Sequence, residues 1–132
     1  HFAIYDGAGR YGATAHVMTP KVDDGAILDV EWFDVAAGET PTGLLAKANA
    51  AALRVAERIV PKLLDGTAAP TGDRWGTRKT TRRDFRALCE VRPDMDAAEI
   101  ERRRRAVAVP GRANLFVELS GLRFTCPEPD HP

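Results

Sequence analysis

Tyr11-Gly12-Ala13-Thr14-Ala15-His16-Val17-Met18, followed by Lys21-Val22-Asp23-Asp24-Gly25-Ala26-Ile27, is the most informative stretch of the chain. From Tyr11 to Met18 small, β-branched and apolar residues alternate loosely, which suits a buried strand, and Thr19-Pro20-Lys21 breaks the run. Asp23-Asp24-Gly25 is turn chemistry. Ala26 to Val35 then resumes as a strand, with Ile27, Val30, Trp32 and Val35 as its apolar members and charged residues between them. Two strands joined by a polar loop bring His16 and Asp23 to one end of a sheet. In open α/β sheets ligands gather outside strand ends of that kind. Standing alone, a His–Asp pair at this spacing is more often structural than catalytic.

Upstream, residues 1–5 are apolar and aromatic and read as a short helix end or strand running into the turn Asp6-Gly7-Ala8-Gly9. Downstream, Thr40-Pro41 opens the strongest helix signal: threonine caps the exposed amides, and proline suits the first helical position, where its missing N–H costs nothing. The periodicity predicts a helix to about Asp65. Leu44, Leu45, Ala48, Ala52, Val55, Ile59, Leu63 and Leu64 form its apolar side, with Lys47, Arg54, Glu57, Arg58 and Lys62 mostly opposite, and Gly66 is its stop.

Residues 66–81 carry no apolar periodicity and read as an extended surface segment. Asp84 to Val91 reads as a short helix with Phe85 and Leu88 inward. Asp96-Ala97-Ala98-Glu99 resembles a capping box starting a helix to about Val107, which Pro110-Gly111 ends. Leu115 to Leu119 and Leu122 to Phe124 flank Ser120-Gly121, a pair suited to a hairpin turn. The tail Pro127 to Pro132 is proline-rich and expected to be disordered.

With 132 residues the chain is one domain or most of one, long enough to bury a core without disulfides or metals. No apolar run approaches the roughly 20 residues needed to cross a bilayer, so a membrane-spanning role is set aside. Nineteen basic side chains balance nineteen acidic ones, so no overall field draws the molecule to nucleic acid or anionic lipid. Cys89 and Cys126 have no metal-ligand spacing around them; reduced thiols in a cytoplasmic protein, with no metal, are the default. The chain opens on His1-Phe2-Ala3-Ile4-Tyr5 with no initiator methionine and no secretory pattern, and reads as entered in mid-domain.

The residue order of the first stretch resembles the 10-formyltetrahydrofolate-dependent formyltransferases, the group that includes methionyl-tRNA formyltransferase. That family has a Gly-x-Thr-x-His strand and a (Val/Leu)-Asp-x-Gly-x-Ile turn, positions held here by Gly12, Thr14, His16, Val22, Asp23, Gly25 and Ile27. Phe33-Asp34-Val35, Thr40 and the helix after it are also similar. So are Trp75-Gly76 through Arg82-Arg83-Asp84-Phe85, Glu99 to Ala106, Pro110-Gly111, and Val117-Glu118-Leu119 with Gly121 and Phe124. The resemblance implies an α/β fold: the later strands and long helix of a Rossmann-type domain, followed by a short helix and a C-terminal β-hairpin. Residues 1–66 would be the C-terminal part of the catalytic core, 67–126 an extension packed on it, and 127–132 a disordered tail.

The same resemblance implies formyl transfer from 10-formyltetrahydrofolate to a primary amine, with Asp23 matching the catalytic aspartate and His16 lining the site. Residues Thr19, Pro20, Lys21, Val22 and Asp23 match the loop that folds around the pterin, with contacts from the backbone. The family's aspartate works with an asparagine and a histidine that can donate to the tetrahedral oxyanion, while the carboxylate helps move the amine's proton. That Asn-x-His segment has no match here and would lie before residue 1; His1 is not it. His16 stands equally well as a hydrogen-bonded structural histidine.

Acceptors open to this reading are an amino sugar on a nucleotide carrier, an amino acid or peptide group, and initiator methionyl-tRNA. Neutral net charge argues against the tRNA. The arginines of residues 74–86 and of Arg102 to Arg105 can bind phosphate or simply be solvated, the solvated face being the stronger reading for the second group. Trp75 suits either stacking on a base or covering core. Two alternatives remain: a non-catalytic module that folds as a dimer or beside an N-terminal half, and a formyltetrahydrofolate hydrolase.

Overall fold

The computed structural model describes residues 1–127, so the expected disorder of 128–132 lies outside the described residues. In chain order the elements are α1 (Phe2–Tyr5), β1 (Arg10–His16), β2 (Ile27–Asp34), α2 (Pro41–Leu64), α3 (Arg82–Cys89), α4 (Ala97–Val107), β3 (Leu115–Leu119) and β4 (Leu122–Cys126). The first five residues, open between helix and strand, form a helical turn. The mixed α/β class is the one expected. The chain forms two compact units, one of residues 9–35 and 45–79, the other of residues 1–8, 36–44 and 80 onward.

In the first unit β1 and β2 pair antiparallel from Arg10↔Asp34 to His16↔Ile27. The register shifts between Ala15 and His16, which leaves Leu28 as an extra residue on β2. Side chains two apart on a strand share a face, so Asp29 and Glu31 point the same way. On α2, Arg54 and Arg58 lie one turn apart and meet them. Arg54 Nε reaches Glu31 Oε1 at 2.8 Å, while Arg58 bridges Asp29 and Glu31, each at 2.8 Å. Hydrogen bonds from Arg54 and then Arg58 hold the Glu31 carboxyl below its ordinary range. Beneath these pairs Ile27, Ala51, Val55 and Ile59 are buried.

The sequence-derived apolar side of α2 needs correction. Leu45, Leu63 and Leu64 are exposed, Leu64 by 83%, as are Leu53 and Val60. The apolar arc of this helix is wider than a two-stranded sheet can cover. α2 also runs through Pro61, whose absent N–H falls in the last turn, and ends as expected at a left-handed Gly66 with φ 72°.

The second unit buries Ile4, Leu44, Leu88, Cys89, Ala106, Val107, Leu115 and Phe116. Its β3 and β4 pair antiparallel across Ser120-Gly121, and Val91 N–H donates to Phe116 O on the other side of β3. The capping box sits at α3: Thr81 Oγ1 accepts from Asp84 N–H, and Asp84 returns the bond to Thr81 N–H at 2.7 Å. At α4 only half of the expected box forms. Asp96 accepts from Glu99 N–H at 2.7 Å, but the Glu99 carboxylate turns instead to Tyr5 O–H, Arg103 and Arg102 at 2.8, 2.6 and 2.7 Å. These donors, Tyr5 first, hold Glu99 below its ordinary range.

Within Arg102 to Arg105 the solvated reading is corrected at Arg103, while Arg102 and Arg105 are exposed and the Arg104 side chain is about half-exposed. Arg103, with a side chain 14% exposed, donates to the carbonyls of Ala87 and Glu90 at 2.6 and 3.0 Å and so caps the end of α3. Arg102 lies over the Tyr5 ring, Arg104 pairs with Glu101, and Arg105 reaches Ala37 O at 3.4 Å. Both cysteines are free, and burial pushes the Cys89 thiol up, away from reactivity.

Candidate functional site

Two glycines of the first stretch are sterically required. A Cβ on Gly12, which pairs with Trp32 across the sheet, would lie 2.7 Å from the Glu31 backbone O and 3.2 Å from the Trp32 ring. A Cβ on Gly25 would overlap Val17 O outright. Gly25 therefore lets the ends of the β1–β2 connection close on each other, and Val17 N–H donating to Ala26 O at 2.9 Å completes the closure.

Residues 17–24 project from this neck and are all exposed. Thr19 Oγ1–H donates to Lys21 O at 2.9 Å, which tightens the turn. Asp23 takes a left-handed conformation, φ 52°, that most side chains disfavour and that aspartate tolerates. Strain of this kind collects at functional sites. Among the described residues no hydrogen bond or ion pair engages the Asp23 carboxylate.

His16 is at the neck. Its Nδ1 is 3.0 Å from Val17 O. A carbonyl only accepts, so Nδ1 carries a proton in this geometry and Nε2 is the ring's remaining polar atom. The imidazole meets the Trp75 indole edge to face, centroids 4.8 Å apart at 87°. His16 and Asp23 thus share one loop, His16 at its base and Asp23 on the projecting part, with no hydrogen bond between them. Of the other sequence candidates, Thr19, Pro20, Lys21 and Val22 are all solvent-facing on that projection.

Sequence reasoning missed the contribution of the segment after α2. Thr71 N–H donates to Ile27 O at 2.9 Å, Trp75 Nε1–H to Gly25 O at 2.7 Å, and Lys79 Nζ to Val22 O at 2.7 Å. Backbone carbonyls carry no side-chain signature, so although Trp75 and the neighbouring arginines stand out in the sequence, the bracing of the loop by this segment does not. Among the described residues no group of three or more His, Cys, Asp or Glu side chains gathers as a metal site would. No described helix is long and apolar enough to cross a membrane.

No protein-family model and no curated protein matches the chain by sequence. Solved structures do match by shape. A 4-N formyltransferase from Francisella tularensis superposes with a TM-score of 0.81 at 20% identity, over 99% of this chain and 55% of that one. The fold is that of the formyltransferases. A sugar N-formyltransferase from a Shewanella species matches with a TM-score of 0.77 at 18% identity, over 99% and 54% of the two chains. Methionyl-tRNA formyltransferase from Clostridium thermocellum matches at 0.57 and 20% identity, over 92% and 51%. The chain therefore spans about half the length of the formyltransferases it matches. At these identities the likeness is one of fold, and within that fold Gly12 lies in β1 opposite Trp32 while His16, Asp23 and Gly25 occupy the β1–β2 neck and loop described above.

Proposed function

We propose that this chain belongs to an enzyme that transfers a formyl group from 10-formyltetrahydrofolate to a primary amine, of amino-sugar or amino-acid type, and that it carries part of the active site. The observation that bears most of the weight is Asp23: an unengaged carboxylate held left-handed on a loop whose neck requires Gly25, in a chain with the formyltransferase fold. When bound, the donor supplies the activated formyl carbon. Asp23 then accepts the proton that the attacking amine must lose, directly or through water. His16 lines the neck, with Nε2 free to contact a ligand.

The loop suits a pterin. Met18 and Val22, exposed by 88% and 77%, offer apolar surface to a flat ring, and the backbone of Thr19 to Asp23 offers polar groups beside it. In this reading residues 1–66 are the C-terminal part of the catalytic core and 67–126 its extension. The oxyanion donors, an asparagine and a histidine by resemblance, have no match within residues 1–132. The test is incubation of the protein with 10-formyltetrahydrofolate and candidate amines. A formylated amine supports the reading, formate released without amine converts it to the hydrolase, and donor left intact by the full-length protein removes it.

A second reading, a module that requires a complementary half or a second copy, is favoured by α2. Its exposed Leu45, Leu53, Val60, Leu63 and Leu64 form an apolar face unusual for a monomer's surface. Residues 1–132 alone would then associate in solution. Light scattering showing a stable monodisperse monomer would count against this module.

A further inference from the structure

We propose that Trp75 is a positioning residue, the central staple of a segment, Thr71 to Lys79, that holds the Val17–Gly25 loop in the shape that presents Asp23. The inference rests on the functional reading above for its catalytic consequence but not for its structural content.

Residues 67–80 form neither helix nor strand; Thr67 and Ala68 N–H donate back to Lys62 O and Thr71 bonds locally with Asp73, but no repeating backbone pattern fixes the segment. Ordering such a segment costs backbone entropy at every residue, and tertiary bonds must offset it. Here the donors come at every fourth residue, 71, 75 and 79, and their acceptors step back through the neck and into the loop, Ile27, Gly25 and Val22. The first fixes the start of β2, the second the neck, and the third the residue immediately before Asp23. Trp75 contributes twice, because its N–H binds Gly25 O while its ring packs against His16. It therefore touches both residues between which Val17 O is lodged.

A loop of this length has no register to hold a left-handed aspartate at one position. The brace supplies what the hairpin does not. Trp75 acts on the reaction only through the loop.

The experiment combines hydrogen–deuterium exchange with kinetics on the full protein, comparing wild type with Trp75→Phe, which keeps a ring and removes the donor. Lys79→Met is the second variant, an exposed change with little prospect of unfolding the chain. Exchange over residues 17–26 should quicken by about tenfold in Trp75→Phe, the scale of one lost hydrogen bond. Exchange in α4 should stay unchanged, and Lys79→Met should quicken the loop alone. For formyl transfer, kcat/KM should fall roughly ten- to a hundredfold through misplacement of the loop, with the donor's KM moving more than the acceptor's.

Unchanged loop exchange in both variants would overturn the brace. Faster exchange with wild-type kinetics would overturn its role in positioning. If the wild-type protein transfers no formyl group, the functional reading fails, and the exchange result still decides whether the brace exists.

Discussion

β3 turns into β4 through Ser120 and Gly121 alone, both left-handed at φ 50° and 80°, whereas β1 reaches β2 only after residues 17–26, with one left-handed residue, Asp23, at φ 52°. In the short turn the unfavourable backbone is dictated locally. Leu119 and Leu122 are paired, and a two-residue connection between twisted strands needs positive φ at both positions. In the long loop no pairing demands it. The Asp23 conformation is sustained from outside, by the Gly25 neck and by donors from residues 71–79. A strained residue that local geometry explains is architecture; one maintained by distant contacts is a candidate for function.

The largest expected effect separates the two connections at their glycines. Gly25→Ala forces the neck open and should cost about 2–3 kcal/mol in denaturant unfolding, with formyl transfer abolished. Gly121→Ala strains only its own turn, about 1–2 kcal/mol, and should leave transfer intact; equal losses of activity would break the distinction.

Next is Asp23→Asn. Asparagine tolerates the left-handed region as aspartate does, so the unfolding midpoint should hold while turnover falls by about 10²-fold or more.

Smaller is the acid response. Tyr5 and Arg103 stabilise the charged form of Glu99, so its folded pKa lies below its unfolded one. Its contribution is present above the unfolded value and is lost as pH falls through the depressed folded value. Wild type should therefore lose more stability on acidification than Glu99→Gln, a difference that thermal melts at a series of pH values would reveal. A parallel pH dependence in the two proteins would contradict the assignment.

The smallest effect is Ser120→Asn. It suits the turn better and should raise stability by a few tenths of a kcal/mol without touching catalysis.

Much of this frame could be read from residue order because it rests on local physics. Alternation located β1 and β2, Thr40-Pro41 and Gly66 bounded α2, and Ser120-Gly121 marked the hairpin. Gly12 and Gly25 were legible as a pattern, and the structure supplies the reason: Glu31 O with Trp32 at one, Val17 O at the other. What escaped was non-local. Arg103 looked like one charge in a solvated run until its carbonyl acceptors at Ala87 and Glu90 were visible. Trp75 and Lys79 likewise act on backbone oxygens that no sequence pattern announces. Helical periodicity identified the apolar side of α2 but not how much of it a two-stranded sheet would cover, so Leu45, Leu63 and Leu64 were misassigned to the core.

The most direct measurement is single-turnover formyl transfer from 10-formyltetrahydrofolate by the full protein, wild type against Asp23→Asn, with folding checked by the unfolding midpoint. The loop's role predicts a folded variant whose chemical step is slowed by about 10²-fold or more. A folded variant that transfers at the wild-type rate would contradict it, and Asp23 would then be a turn residue like Ser120.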